Sequence, residues 1–365
     1  MKKIMFLIPS LNLGGAERIT VNLANEFSKM NYEVFVITLY SKGFFKNELF
    51  EIVNHISLNI KRARNAILPL HKLIKKNNPN FCISMTREIS ITCGIIFKLF
   101  NLNNSKLIIR EASPFFFNEI NNQYFSKSLY LKILKFSYGS ANGYIANSNL
   151  TLTTFLENSI LHLITKKEII GNPVILDSYY NVNKSKKNTH PISFVSVGRL
   201  HKVKDHKTLI KAFNIFVKKN PDSVLNIYGE GPERNNLEIL INKLKLNNNV
   251  FLRGSVIKPV DYIKKSDVFI LTSKHEGFGN VLVEAMYSKV KIICSDSLLD
   301  GNELVYHKRC FTFFEFGNFL DLSSKIFKVT QEENIFEESN FKYSLNYRVD
   351  TIAKKYNSFF KTIEK

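Results

Sequence analysis

The chain has 365 residues, of which 45% are hydrophobic and 22% charged, and this balance is typical of a folded globular protein. It excludes disordered and collagen-like chains, and a length well above about 150 residues favours two domains over one. The formal net charge of +20 would attract phosphate groups, nucleic acid or an anionic membrane surface, and composition does not choose among them.

Cysteine usage and the first residues bear on the compartment. The four cysteines are Cys82, Cys93, Cys294 and Cys310. They have neither CxxC nor metal-ligand spacing, which favours free thiols in a reducing compartment over disulfides. The apolar run 4–8 follows two lysines, but it is short and leads into Asn12 and Gly14 instead of a cleavage site. Because no apolar run approaches the about 18 residues of a spanning helix, we expect a cytoplasmic protein.

Taken in chain order, short apolar stretches alternate with amphipathic ones, which predicts a parallel α/β sheet. The first strand is predicted at residues 3–9 and the first helix at 16–30. The apolar face of that helix is predicted to hold Ile19, Leu23 and Phe27. Further strands of this half are predicted at 33–39, 81–85, 106–110 and 143–146. Together these strands predict one doubly wound sheet.

The pattern lapses at residues 172–174 and in the polar run 181–188, which has the composition of a linker. It then resumes as a second α/β module. The predicted strands of this module are 192–197, 223–228, 250–253, 268–271 and 291–295, and its predicted helices are 207–218, 233–245 and 281–287. The tail is predicted to be an amphipathic helix. Its apolar residues at helical spacing are Ile352, Tyr356 and Phe360.

A glycine pair, Gly14 and Gly15, lies between the first predicted strand and the first predicted helix. Glycines let the backbone approach a ligand closely, and the N-terminus of a helix offers unpaired N–H groups to an anion. A tight turn would explain the same pair, and both interpretations stay open here. The segment is not GxGxxG, and no acidic residue ends the second strand, which argues against a dinucleotide cofactor.

Two further motifs follow strands of the second module, at the edge where open α/β sheets bind ligands. The first is SVGRL, which contains Arg199 and is followed by Lys204. Arginine grips two phosphate oxygens and lysine adds a point charge, so the pair could neutralise a diphosphate; two solvated charges are the alternative. The second motif, YGEGPE, contains Gly229 and is either a simple turn or a floor beneath a nucleotide.

The segment 273–285 has the sequence SKHEGFGNVLVEA and joins a strand, a glycine-rich loop and a helix. It places Glu276 in the loop and Glu284 in the first turns of the helix, so both carboxylates can converge on one ligand. Carboxylates accept hydrogen bonds from sugar or ribose hydroxyls, and Gly277 and Gly279 would let backbone N–H groups meet an anion. Glutamates at this spacing are usually just exposed, but the glycines around them make the motif specific.

In combination, these motifs resemble the retaining GT-B glycosyltransferases of family 4, the glycosyl transferases group 1. The resemblance covers nearly the whole chain: GGAER, the Asn-Pro-Val hinge at 172–174, SVGRL, GEGP and EGFG with its pair of glutamates. It implies two Rossmann-like parallel-sheet domains facing across a cleft. The implied parts are an acceptor-binding domain at 1–172, a hinge at 173–190, a nucleotide-sugar-binding domain at 191–345 and a tail helix at 346–365 that packs back on the N-terminal domain.

The resemblance also implies roles for individual residues. Arg199 and Lys204 would bind the donor diphosphate and Glu276 the transferred sugar, and these three are the predicted catalytic residues. Glu284 would bind the ribose. The other implied donor contacts are Gly14, Gly15, Gly229, Phe278, Gly279 and Asn280. Many members have a histidine facing the donor sugar, whereas residues 109–114 contain none, so Arg110 or Glu111 is predicted to contact the acceptor instead.

The predicted activity is retaining transfer of a hexose or N-acetylhexosamine from a UDP- or GDP-sugar. The acceptor would be a glycan or a polyprenyl-diphosphate-linked saccharide in the synthesis of a cell-surface polysaccharide such as capsule or O-antigen. The chain contains no DxD triplet, so neither a metal nor another cofactor is predicted. A nucleotide-sugar epimerase of the same fold is the alternative enzyme.

Two basic amphipathic stretches, 61–76 and 124–138, predict contact with an anionic membrane surface, and thus a peripheral position at the inner face of the cell membrane. Ordinary amphipathic helices with a solvated basic face are the alternative explanation. A non-enzymatic protein that binds nucleic acid or another anion would also suit the charge. Nucleic acid is not expected as a partner, because there is no RNP-like strand, helix-turn-helix or zinc-ligand spacing.

Overall fold

The computed structural model describes residues 1–41, 43–60, 63–102, 104–116, 126–179, 191–299, 302–305, 311–332 and 337–364. The chain divides into two compact units. The first unit consists of Met1–Val174 and Val349–Lys365, and the second of Ile175–Arg348. The predicted linker run 181–188 lies outside the described residues, as do Cys310 and residues 61–62 and 124–125 of the two basic stretches.

Each unit is built around one sheet. The strands of the first unit are β1 (Lys2–Ile8), β2 (Tyr32–Thr38), β3 (Asn54–Ser57), β4 (Phe81–Ser84), β5 (Lys106–Glu111), β6 (Gly143–Ala146) and β7 (Lys167–Ile169). The strands of the second unit are β8 (Ser193–Val197), β9 (Val224–Tyr228), β10 (Val250–Leu252), β11 (Val268–Leu271), β12 (Lys291–Ser295) and β13 (Thr312–Phe314).

Helices connect these strands. In the first part of the chain they are α1 (Gly15–Lys29), α2 (Ile67–Asn77), α3 (Arg87–Phe100), α4 (Lys127–Tyr138) and α5 (Asn149–Glu157). In the second unit they are α6 (His206–Val217), α7 (Arg234–Lys243), α8 (Val260–Ile263), α9 (Asn280–Tyr287), α10 (Phe319–Gln331) and α11 (Glu337–Ser344). The last helix, α12 (Val349–Glu364), returns to the first unit.

Both sheets are parallel and have the same winding. Their strand orders are β3-β2-β1-β4-β5-β6-β7 and β10-β9-β8-β11-β12-β13. In each, the chain steps outward from its first strand and then crosses back to the other side. The connections therefore diverge at β1/β4 and at β8/β11, which are the points where sheets of this kind bind ligands beyond the carboxyl ends of their strands. The predicted class, two Rossmann-like α/β modules, is confirmed.

The core of the first unit includes an aromatic stack that joins three distant parts of the chain. The ring of Phe360 in α12 lies 4.4 Å from that of Phe81 in β4 and 5.6 Å from that of Phe27 in α1. Phe360 and Tyr356 are both 1% exposed, and Ile352 is fully buried. The predicted helical spacing of the tail thus corresponds to a buried face.

The core of the second unit lies between its sheet and helices α6 and α10. Phe194 of β8 contacts Phe213 and Phe216 of α6 at ring-centroid distances of 5.5 and 5.2 Å. Phe327 of α10 lies 5.0 Å from Phe216. This packing fixes the position of β8, whose carboxyl end carries the SVGRL motif.

Candidate functional site

The carboxyl ends of three strands in the second unit carry the predicted ligand-binding motifs. Strand β8 leads into Gly198 and Arg199, β9 into Gly229, and β11 into the loop that holds Glu276. Strands β9, β8 and β11 are neighbours in the sheet. The three motifs, which are far apart in the sequence, therefore lie at one edge of one sheet.

An ion pair lies at the centre of this edge. Lys204 Nζ, in a short 3-10 turn after β8, donates to Oε1 of Glu276. The two side chains are only 19% and 12% exposed, so water screens their interaction less than that of a surface pair. The sequence predicted each residue as a member of the site but not their pairing, because they are 72 positions apart.

Hydrogen bonds join the segments that carry this pair. Thr272 Oγ1 donates to the carbonyl oxygen of Lys204 at 2.7 Å, and the Lys274 amide donates to the carbonyl oxygen of Val203 at 2.8 Å. Ser273 Oγ donates to Glu276 Oε1 at 2.7 Å. The turn after β8 and the loop after β11 thus form one hydrogen-bonded element.

The glycines of the GEGP motif are required by close backbone packing. Gly229 has φ +149°, and a Cβ atom there would lie 2.8 Å from the carbonyl carbon of Gly198 and closer still to its oxygen. The Gly229 amide donates to the carbonyl oxygen of Gly254 at 2.8 Å. Gly231 has φ +157°, and its Cβ would lie 2.8 Å from the carbonyl carbon of Leu200. Loop packing is therefore sufficient to explain these glycines, whether or not they also support a ligand.

The loop before α9 is anchored by its aromatic residue. The ring of Phe278 is 3% exposed and packs edge-on against Tyr347 at 5.2 Å. Its carbonyl oxygen accepts a hydrogen bond of 3.0 Å from Asn302 Nδ2. Gly279 follows in a left-handed conformation, with φ +88°, and α9 begins at Asn280. Since the Phe278 side chain faces the core, only the backbone of this residue is left to meet a ligand.

The other two charged residues of the predicted site differ in their surroundings. Arg199 is exposed, and within the described part of the chain it takes part in no ion pair, so its guanidinium is available to an anion. Glu284 lies in α9 and is only 7% exposed. A carboxylate with so little contact with water gains from a hydroxyl donor more than an exposed one would.

A buried histidine beside this site was not predicted from the sequence. His206 is 4% exposed and is the first residue of α6, two positions after Lys204. Burial, reinforced by the positive charge of Lys204, lowers the pKa of His206 to about 3. Its Nδ1 atom has no hydrogen-bond partner among the residues described. The imidazole is therefore neutral throughout the physiological range.

The first unit places its glycine pair at a helix N-terminus, as the sequence predicted. Gly14 and Gly15 are exposed, and α1 begins at Gly15. Gly14 has an extended backbone, and the carboxylate of Glu17 lies against it, with its Cδ 2.9 Å from where a Cβ of Gly14 would be. The pair thus exposes backbone at the carboxyl end of β1.

Arg110 and Glu111 were predicted to contact the acceptor, and their positions do not fit that role. They are 0% and 1% exposed. Arg110 donates to Oδ1 of Asn172, and its guanidinium opposes the rise in pKa that burial imposes on Tyr356. Both residues are held inside the first unit because β5, at whose end they lie, is buried on both faces.

Glu111 belongs to a buried polar network. Its Oε1 accepts a hydrogen bond from the hydroxyl of Tyr138, and its Oε2 lies 3.3 Å from Arg87 Nη2. Burial raises the pKa of the Glu111 carboxyl, and Arg87 and Tyr138 oppose the rise. The Arg87 guanidinium also donates to the carbonyl oxygens of Ser113 and Pro114, at 3.1 and 3.2 Å. This network stabilises the chain after β5, and its side chains are occupied by one another.

Three further features of the described residues concern metal binding, membrane spanning and the thiols. No group of three or more His, Cys, Asp or Glu side chains is arranged to hold a metal ion there. None of the described helices combines the length and the apolarity needed to cross a bilayer. Cys82, Cys93 and Cys294 are buried free thiols, as expected.

Comparisons with known proteins agree with this arrangement. Residues 180–342 match the family model of the glycosyl transferases group 1. The chain is 27% identical over 384 residues to an N-acetylgalactosamine-N,N'-diacetylbacillosaminyl-diphospho-undecaprenol 4-alpha-N-acetylgalactosaminyltransferase of Campylobacter jejuni, with 98% of this chain and 96% of that protein covered. It is 24% identical over 372 residues to the amylovoran biosynthesis glycosyltransferase AmsD of Erwinia amylovora, with 98% and 99% covered.

A solved structure extends the likeness to the whole fold. The crystal structure of Anabaena HepE in complex with UDP-glucose matches with a TM-score of 0.76 at 20% identity, and each chain is fully covered. The chain is thus a glycosyltransferase of the GT-B fold, and most of its second unit matches the model of the glycosyl transferases group 1. The fold and the enzyme class predicted from the motifs are confirmed.

Proposed function

We propose that this glycosyltransferase moves an N-acetylhexosamine or hexose from a UDP- or GDP-sugar to a polyprenyl-diphosphate-linked saccharide or another glycan. The Campylobacter jejuni relative is named for transfer of N-acetylgalactosamine to a diphospho-undecaprenol-linked saccharide, and the Erwinia relative for amylovoran biosynthesis. Both are similar to this chain over nearly all of its length, which supports a place in cell-surface polysaccharide synthesis. The UDP-glucose complex of HepE supports UDP as the carrier.

The observation that carries the proposal is the paired Lys204 and Glu276 beside the exposed Arg199. In the transfer, negative charge grows on the departing diphosphate as the bond to the sugar breaks. Arg199 and Lys204 would stabilise that charge, and each well-placed donor of this kind contributes about 3 kcal/mol to a transition state. Glu276 would accept hydrogen bonds from the sugar, and the nearly buried Glu284 from the ribose.

We include retention of the anomeric configuration and independence from metal in the proposal. Retention is supported by the resemblance of the EGFG segment and its two glutamates to retaining enzymes. Independence from metal is supported by the two cations, Arg199 and Lys204, which supply positive charge where a bridging metal would otherwise be needed.

The experiment is a donor screen that measures nucleotide release from UDP- and GDP-sugars, with membrane extract as the acceptor. Release of one nucleotide that depends on the extract, with a product of unchanged anomeric configuration by NMR, is the expected result. Glu276→Gln should reduce the rate at least about 100-fold, as for loss of a key charged group in an active site. Sugar-nucleotide conversion without any acceptor would favour the epimerase instead.

The metal requirement is tested separately in excess EDTA. Turnover should continue at its original rate. Complete loss of turnover that only Mg²⁺ or Mn²⁺ restores would contradict the metal-free mechanism.

We also propose that the first unit rests on an anionic membrane surface. Helix α4 exposes Leu129 and Phe136, which are 45% and 50% exposed, with Lys132 between them, and α2 exposes Leu68. Apolar side chains among lysines suit the boundary of anionic lipid. Vesicles containing anionic lipid should co-sediment the protein and neutral vesicles should not. Equal partition with both kinds of vesicle, or with neither, would contradict this part.

A further inference from the structure

We infer that Ser273 is a positioning residue for the sugar transfer, which it serves by holding the Glu276 carboxylate in one orientation. The inference rests on the proposed function and deepens it. Ser273 lies in the loop two residues after β11, is 0% exposed, and donates its hydroxyl to Glu276 Oε1 at 2.7 Å. Neither the motif match nor the charges of the site assign it a role.

Both donors to Glu276 use the same oxygen. Lys204 Nζ and Ser273 Oγ each donate to Oε1, and Oε2 receives no hydrogen bond from the described residues. A carboxylate held through one oxygen keeps the other free to accept from a ligand. The geometry therefore presents Oε2 as the atom that meets a hydroxyl of the sugar.

Ser273 is itself held on both sides. Its carbonyl oxygen accepts a hydrogen bond of 3.2 Å from Ser297 Oγ. The residue before it, Thr272, is bonded to the carbonyl oxygen of Lys204, and the amide of the residue after it, Lys274, is bonded to that of Val203. A buried hydroxyl on a backbone fixed in this way has little freedom, so it can fix the direction of the group that it holds.

The need for a second donor follows from the position of Lys204. In the proposed reaction this lysine also stabilises the diphosphate, so its ammonium group is drawn toward the leaving group as charge develops there. Ser273 carries no charge and has no such competing partner. Ser273 therefore keeps Glu276 in place at the stage when its bond to Lys204 weakens.

The test compares three variants of the full chain: Ser273→Ala, Ser273→Thr and, as a matched control, Ser344→Ala. Ser344 is likewise 0% exposed and in the second unit, but its hydroxyl donates to the carbonyl oxygen of Phe341, at 2.6 Å. Ser273→Ala should lower kcat about 10- to 100-fold, the size expected for one hydrogen bond to a charged group, with the UDP Kd within about twofold. Ser273→Thr should recover most of kcat, and Ser344→Ala should match the wild type.

A double-mutant cycle decides whether Ser273 acts through Glu276. Combining Ser273→Ala with Glu276→Gln should lower kcat no further than Glu276→Gln alone. Wild-type kcat in Ser273→Ala, or additive losses in the double variant, would overturn the inference while leaving the proposed function intact. Failure of the wild type to transfer sugar from any nucleotide donor would overturn the proposed function and this inference with it. A parallel rise in UDP Kd and fall in kcat for Ser273→Ala would show a merely structural role, and would also overturn it.

Discussion

Replacing Gly229 by alanine is the sharpest test of how the second unit builds its ligand-binding edge. The added Cβ would lie 2.8 Å from the carbonyl carbon of Gly198 and closer still to its oxygen. Ordinary contact begins near 3.4 Å, so the ends of β8 and β9 must move apart. That movement would disturb the bond from the Gly198 amide to the carbonyl oxygen of Tyr228, at 2.9 Å, and with it the position of Arg199.

The loss of stability expected for Gly229→Ala has two parts. A φ of +149° is strained for any residue with a Cβ, which costs about 1–3 kcal/mol. Forcing an atom into a packed backbone costs about a further 1–3 kcal/mol. Gly317→Ala is the control, because Gly317 has φ +78° and nothing within 4 Å of its Cβ position. The Gly317→Ala variant should lose only about 1–2 kcal/mol of stability. Backbone strain is common to both variants, so the steric part alone should make Gly229→Ala less stable than Gly317→Ala, by about 1–3 kcal/mol.

Hydrogen exchange followed by mass spectrometry measures the local stability of both variants, and it reports on the two units separately. Peptides covering β8 and β9 should exchange faster in Gly229→Ala, and peptides of the first unit should not change. Calorimetric titration with UDP should show a Kd at least about tenfold weaker for Gly229→Ala and unchanged for Gly317→Ala. Equal exchange and equal Kd in the two variants would refute the steric argument.

Three further changes probe one residue beside the site, His206, and two buried residues of the first unit, Glu111 and Phe360. His206 stays uncharged in the folded state down to a pH of about 3, whereas an ordinary histidine gains its proton near pH 6.5. The free energy of unfolding should therefore fall as the pH drops through this window, by up to about 1.4 kcal/mol per pH unit. His206→Gln should flatten this slope in urea titrations, and an unchanged slope would contradict the assignment. Glu111→Gln should destabilise the first unit by about 2–4 kcal/mol in urea denaturation, because Arg87 loses its counter-charge. The UDP Kd should not change, and a changed Kd would point to a role of Glu111 in binding. Phe360→Ala should cost about 3–5 kcal/mol in the same assay, and a loss below about 1 kcal/mol would refute the packing described.

Strands buried on both faces could be predicted from the sequence, whereas of the four edge strands only β10 was predicted. Strands β6, β11 and β12 were predicted with their observed bounds, because a continuous apolar run marks a strand covered by helices on both sides. The strands that were missed, β3, β7 and β13, all lie at sheet edges. The sequences of β3 and β7 are NHIS and KEI, which carry too few apolar residues to reveal a strand.

The candidate site could be predicted as a set of residues but not as an arrangement. Spacing and residue type identified Lys204 and Glu276, whereas their pairing depends on the order of strands in the sheet. The acceptor role of Arg110 was inferred from its place in the chain, and a sequence does not show that a charged residue at a strand end turns inward. Nothing in the sequence indicated that His206 is buried beside the site, because a histidine two positions after a lysine is common on a solvated turn.

The return of α12 to the first unit has a consequence for how the protein is made. The second unit is one uninterrupted stretch of chain, from Ile175 to Arg348, whereas the first is completed only by residues that follow it. During synthesis all of the second unit is therefore made before Phe360, the residue of α12 that contacts Phe27 and Phe81. The unit whose translation begins first is thus completed last, and its aromatic residues Phe27 and Phe81 stay uncovered until α12 has been made.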